Sequence, residues 1–262
     1  MNTILRMKKS VLTFCFLLLV SVIEAQDLNL VGVNPSYTQV GKLSNRFSYN
    51  LNIASVVDAF DVSIGAKTFP KGQLHLVPQG VLAYKVNNYI NVGAGFGYGI
   101  HNIFGTREYE PRWIAQTTIQ HKIAPLIFSH RLRYELRQPY NAQTKISSTA
   151  DIVRYQLGAT LPLYNPKTSK KGFYVTASNE LFLYVNGATN GPVSSKNGGL
   201  LSEDWANLSL GYTNGRTRFE AGYCFQTLVQ NAAKDTRRLN LLQLGIIHTI
   251  NWDDLQVWYY LP

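Results

Sequence analysis

Residues 127–137 alternate strictly between polar and apolar side chains. Ser129, Arg131, Arg133, Glu135 and Arg137 fall on one face; Phe128, Leu132, Tyr134 and Leu136 fall on the other, with His130 among them. A period of two belongs to a strand with one polar and one apolar face. Such a strand has two homes. In a soluble sandwich the apolar face is core and the charges are wetted. In an outer-membrane barrel the apolar face meets lipid and the charges face the lumen. The rest of the chain has to choose between them.

Residues 1–25 have the build of a secretory signal peptide. Arg6, Lys8 and Lys9 give a positive start, Val11 to Ile23 an apolar run, and Ala25 a small residue for cleavage before Gln26. The run is too short to cross a bilayer as a helix, and no later apolar stretch is long enough. Cleavage leaves Cys224 as the single cysteine, so no intrachain disulfide is available. The expected product is one barrel domain over 26–262, with 253–262 as a periplasmic tail. With 25 Lys and Arg against 15 Asp and Glu the chain is basic, yet its arginines are interleaved with Glu and form no run. That pattern argues against nucleic acid and leaves anionic lipid as the better partner.

The spacing predicts twelve strands: 28–37, 46–56, 58–68, 74–86, 89–101, 112–123, 127–137, 151–163, 172–185, 204–213, 216–229 and 238–250. Leaving out the first two gives ten, which is also self-consistent. Most are longer than the roughly 5–6 residues of a globular strand, and match the roughly 9–11 that a tilted membrane strand needs. Pro78 predicts an irregularity in its strand. Asn214-Gly215 is the strongest hairpin signal in the chain. The connections are short at 87–88, 124–126 and 214–215, and longer at 102–111, 138–150, 186–203 and 230–237; only 164–171 blurs the alternation. Short periplasmic turns against long outer loops is the layout of a bacterial barrel. The expected fold is an all-β, antiparallel, up-and-down transmembrane β-barrel in the bacterial outer membrane.

Parity then assigns the faces. Arg131, Arg133, Glu135 and Arg137 point to the lumen, as do Arg154 and Gln156 on the next strand and Glu180 on the one after. Arg216, Arg218, Glu220 and Gln226 follow, with Gln243 on the last strand. Buried charges must pair, so a salt-bridged plug is favoured over a conduit for anions. The glycines at 93, 95, 97 and 99 are spaced by two and line one strand face. They miss the dinucleotide pattern, which needs glycine where Tyr98 stands, and instead leave room for bulky lumenal neighbours. The five histidines are scattered over separate strands without a metal-type spacing, so neither metal nor cofactor is expected. Ser129 and His130 are adjacent and therefore face opposite ways, which argues against a nucleophile and base there. Segments 106–112 and 189–204, as outer loops, are the best candidates for binding.

An ordered series of segments carries a resemblance. His130-Arg-Leu-Arg-Tyr-Glu-Leu-Arg137 comes first, then Arg154-Tyr-Gln-Leu157 leading to Leu161-Pro-Leu163, and Asn179-Glu-Leu-Phe-Leu183. Leu208-Ser-Leu-Gly-Tyr212, Arg218-Phe-Glu-Ala-Gly-Tyr223 and Asn240-Leu-Leu-Gln-Leu-Gly245 follow. The series resembles the bacterial family catalogued as domain of unknown function 2490, from about Arg46 to Trp252. The resemblance implies an outer-membrane barrel, frequent in Bacteroidetes-type bacteria, with no established activity and no catalytic residues to carry over. Such barrels usually end on an aromatic assembly signal; here His248 stands at an expected apolar position and ten residues follow Trp252. The expected role is structural, loop-mediated binding or narrow transport, with outer-membrane lipid, lipopolysaccharide and the barrel-assembly machinery as partners. The alternatives are an enzyme that modifies lipid or lipopolysaccharide, and a soluble periplasmic lipid-binding β-barrel.

Overall fold

The computed structural model describes residues 28–64, 66–103, 105–188, 200–230 and 235–251. The segments expected to be a signal peptide (1–25) and a tail (253–262) lie outside them. All described elements are strands: β1 (Leu28–Lys42), β2 (Phe47–Asp58), β3 (Val62–Ile64), β4 (Lys67–Phe69), β5 (Gln73–Lys85), β6 (Ile90–Ile103) and β7 (Thr106–Ile123) form the first half. The second half holds β8 (Leu126–Arg137), β9 (Tyr140–Asn141), β10 (Thr149–Pro162), β11 (Gly172–Ala188), β12 (Leu201–Thr213), β13 (Thr217–Gln230) and β14 (Asp235–Asn251).

Eleven of these strands close into a barrel, in the order β1-β2-β5-β6-β7-β8-β10-β11-β12-β13-β14 and back to β1, with β9 added beside β7. Neighbours are antiparallel except at the closure, where β1 and β14 run parallel in unbroken register from Leu28↔Arg237 to Lys42↔Asn251. The wall count differs from the expected twelve because 58–68 is not a wall strand. That segment folds back on itself as the hairpin β3–β4, pairing Ile64 with Lys67. Val62 of the hairpin packs against apolar side chains in the barrel interior, so the segment caps the mouth. Eleven is odd, and an up-and-down path with an odd number of strands brings its first and last strands together pointing the same way. The parallel seam is thus a direct consequence of the hairpin leaving the wall.

The barrel has a turn end and a loop end. Turns at 43–46, 86–89, 124–125, 163–171 and 214–216 lie at the first. At the loop end lie the β3–β4 hairpin and the segment that carries β9. The expected loop 102–111 is corrected: β6 and β7 run on as a hairpin to Ile103↔Thr106, so 106–112 is wall strand. Pro78 stays in register with β2, but β5 and β6 lose their pairing between Leu76↔Ile100 and Gln79↔Gly97. A residue without an N–H cannot complete that ladder.

The glycines of β6 face inward. A Cβ at Gly97 would meet Gln79 Cβ at 3.1 Å, and one at Gly95 would collide with the Gly80 carbonyl oxygen. Gly95→Ala should therefore cost about 1–3 kcal/mol through overpacking. Gly72→Ala is the control, since nothing lies within 4 Å of its Cβ position. Comparison of the two urea midpoints checks this, and equal midpoints would show that the wall gives way at Gly95.

Candidate functional site

The alternation of β8 sorts its side chains inside and out. Arg133, Glu135 and Arg137 are buried, whereas Leu132 and Tyr134 on the other face are 54% and 43% exposed. Glu135 is completely buried and sits among three guanidinium groups. Arg154 Nη1 donates to its Oε1 at 2.6 Å, Arg137 Nη2 reaches its Oε2 at 2.7 Å, and Arg133 Nη1 lies 3.4 Å from Oε1. Glu180 on β11 holds the other side of Arg154 at 2.9 Å and Arg131 at 2.8 Å. Glu110 on β7 pairs with Arg112 and lies 3.9 Å from Arg137 Nε. Residues two apart on one strand and opposite one another on the next share an inner face, so strand pairing alone brings these groups together: Arg133 is registered with Arg154, and Gln156 with both Arg131 and Glu180.

Neutral groups extend the cluster across the barrel. Arg133 donates to Gln116 Oε1 from Nε at 3.0 Å and to Gln79 Oε1 from Nη1 at 3.1 Å. Gln79 in turn donates to Asn52, and Asn52 to Thr38 Oγ1 at 2.8 Å. The polar chain thus runs from β1 through β2, β5, β7 and β8 to β11. Phe182 gives Arg154 a flat support, with the guanidinium carbon 4.1 Å from its ring centroid. A buried guanidinium stacked on an aromatic face while bonded to two carboxylates is held on every side.

On the opposite wall the interior is apolar. Leu30, Val56, Leu74, Ile103, Cys224, Leu228, Leu239 and Leu241 form one buried cluster. A cavity of about 30 Å³ separates it from Glu203, Trp205 and His75, room for one or two waters. Glu203 accepts from Trp205 Nε1 at 2.9 Å. The loop bearing β9 covers another acid: Asn141 Nδ2 approaches Glu108 Oε1 at 3.4 Å. Both clusters lie in the loop half of the barrel. Toward the turn end the inward residues become half-buried; on β8 the sequence runs from buried Arg137, Glu135 and Arg133 to half-buried Arg131 and Ser129.

Of the residues singled out from the sequence, Arg131, Arg133, Glu135, Arg137, Arg154 and Glu180 form one ion-pair network. Gln156 is half-buried beside it, whereas Gln243 is half-buried on β14, between β1 and β13, and its Oε1 is buried without a partner. Gln226 is buried but donates to Cys224 Sγ at 3.5 Å instead. Glu220 accepts from the Tyr174 hydroxyl at 2.7 Å, away from the cluster. Arg216 and Arg218 are exposed at the turn end. Ser129 and His130 do face opposite ways: Ser129 Oγ lies inside against Gly158, and His130 Nδ1 lies outside, 2.9 Å from the Tyr155 hydroxyl. Of the expected binding loops, 189–199 lies outside the described residues. Sequence reading missed Glu108, Glu110, Arg112, His101 and Glu203. Glu108, Glu110, Arg112 and Glu203 fall in segments that read as loops, and His101, in an expected strand, has no motif that marks it.

A closed β-barrel with an ion-paired interior and an apolar outer wall is the class that this geometry defines. Residues 35–237 match the family described as protein of unknown function (DUF2490), and the chain belongs to that family. No curated protein and no solved structure matches it.

Proposed function

We propose that this chain is an outer-membrane β-barrel with an occluded interior, acting through its wall and its loop end rather than as an open pore. The inversion of polarity carries the reading. Charges are inside and paired, while Leu51, Ile53, Leu82, Leu132, Leu157, Leu208, Leu210, Leu242 and Leu244 are all exposed on the outside. A wall of that size in water would be an aggregation surface; against lipid it is the expected outer face.

Aromatic rings flank the apolar wall at both ends. Phe47–Tyr84 and Phe173–Tyr212 lie in contact near the turn end, with Phe96–Trp113 and Tyr98–Tyr109 toward the loop end. Such belts mark the two interfaces of a bilayer. Outward polar groups in the loop half satisfy one another: the Tyr134 hydroxyl donates to Asp151 at 2.6 Å, and the Asn179 amide donates to Asp204 at 2.5 Å. A soluble lipid-binding barrel would need an apolar chamber inside, whereas the apolar interior cluster here packs side by side with a cavity of about 30 Å³.

Two measurements test the reading. The outer-membrane fraction should give a band whose gel mobility changes on boiling. Recovery of the protein in the soluble periplasm, without a shift, would make the charged face the wetted one. In planar bilayers the reconstituted chain should give no steady conductance steps, because the ion-paired network crosses the interior; regular steps would overturn the occlusion.

A further inference from the structure

We propose that the turn end of the barrel is a docking rim for the phosphate groups of anionic phospholipids. The inference rests on the membrane reading above and adds to it a face and a ligand chemistry. Every one of the five turns at this end carries a cation. Lys42 and Arg46 flank the first turn, Lys85 the second and Lys122 the third. Lys167, Lys170 and Lys171 occupy the fourth, and Arg216 and Arg218 the fifth. All are exposed. Among the described residues at this end, Glu220 is the one acidic side chain, and it accepts from the Tyr174 hydroxyl. The loop end is different in kind, since Asp58, Asp61 and Asp151 lie there among its cations.

The interior arginines are bonded to carboxylates instead. Arg131, Arg133, Arg137 and Arg154 are paired with Glu135 and Glu180. Two of the rim cations have neutral partners: Arg46 donates to the Tyr84 hydroxyl at 2.8 Å and Lys42 Nζ to Asn45 Oδ1 at 3.2 Å. Neither of these two bonds cancels the charge of its cation. Aromatic rings stand at the same level: Arg46 bonds the Tyr84 hydroxyl, Tyr84 packs on Phe47, and Phe173 packs on Tyr212. Rings at that level bury their bodies in the acyl boundary, which sets the neighbouring cations at the depth of lipid phosphates. A ring of cations spread over five turns fits a field of head groups. It does not form the continuous groove that a nucleic-acid strand would follow.

The test uses the full chain refolded into phosphatidylcholine and phosphatidylglycerol vesicles, beside a variant combining Lys42→Gln, Lys85→Gln, Lys122→Gln, Lys170→Gln and Lys171→Gln. Insertion is read by the heat-dependent gel shift. Lipid preference is read by quenching of tryptophan fluorescence with spin-labelled lipids of each head group. The wild type should associate with phosphatidylglycerol at least about fivefold more strongly at low salt, the effect of one surface cation. The preference should collapse as salt rises. The variant should insert normally and lose the preference. Equal association of both labels with the wild type, or a variant that keeps the preference, would overturn the proposal. So would glycerol phosphate that stabilises the detergent-solubilised barrel as strongly as phosphatidylglycerol vesicles do and loses that effect in the variant, because the site would then be one for soluble anions. Failure to insert in either lipid registers in the gel shift and condemns the membrane reading itself.

Discussion

Glu135→Ala is expected to lower the stability of the barrel by about 3–5 kcal/mol, the range for removing one partner of a buried ion pair. The side chain is fully buried and bonded to Arg154, Arg137 and Arg133. Its loss leaves three guanidinium groups crowded together, and Glu180 and Glu110 are the carboxylates left to answer them. The cost comes from uncompensated charge, not from a lost contact as such, and this has a consequence. Adding Arg154→Met to Glu135→Ala removes one of the stranded cations and fills its volume over Phe182, so the double variant should recover part of the loss. Glu220→Gln is the reference: its bond is to the Tyr174 hydroxyl, and it should cost about 1 kcal/mol. Urea unfolding of the four proteins in vesicles checks the ordering. If Glu135→Ala falls no further than Glu220→Gln, the network does not hold the interior together and occlusion needs another cause.

The alternation of 127–137 announced its own faces because a strand repeats every two residues whatever surrounds it. The same rule placed Arg154 and Glu180 on the inner face of neighbouring strands. Register supplied the rest, and register is a property of pairs of strands that no single segment displays. It is register that sets Arg133 opposite Arg154, Gln156 beside Glu180, and Arg216 far down at the turn end. Segment 58–68 was misjudged for a related reason. Its alternation is real, but a strand that pairs with the wall and a strand that pairs with itself look the same in one dimension. What separates them is Val62 seated against the apolar cluster, a contact across the barrel mouth. Segment 106–112 carries charged residues at alternate positions but reads as part of the longer connection 102–111, which would place them in solvent. Inside a barrel that inference reverses, and Glu108, Glu110 and Arg112 are among the most buried residues of the chain.

Leu132→Arg should cost roughly 2–4 kcal/mol near the bilayer midplane if the outer wall faces lipid. Leu132 is 54% exposed and packs into no interior cluster. It is registered with Thr117 on one side and Tyr155 on the other, so it lies well inside the wall and away from either rim. Its neighbours along β8 on that side are His130 and Tyr134, and the outward acids Asp151 and Asp204 are already bonded to Tyr134 and Asn179. In water the same change would add a charge to an exposed position and be nearly neutral, within about 0.5 kcal/mol. The two environments therefore predict effects several-fold apart for one substitution. The fraction of heat-modifiable barrel assembled in the outer membrane, and the urea midpoint in vesicles, both measure it. Unimpaired assembly of Leu132→Arg would mean that this face is wetted. The paired charges around Glu135 would then be the core of a soluble barrel, and the cationic rim would have no bilayer to meet.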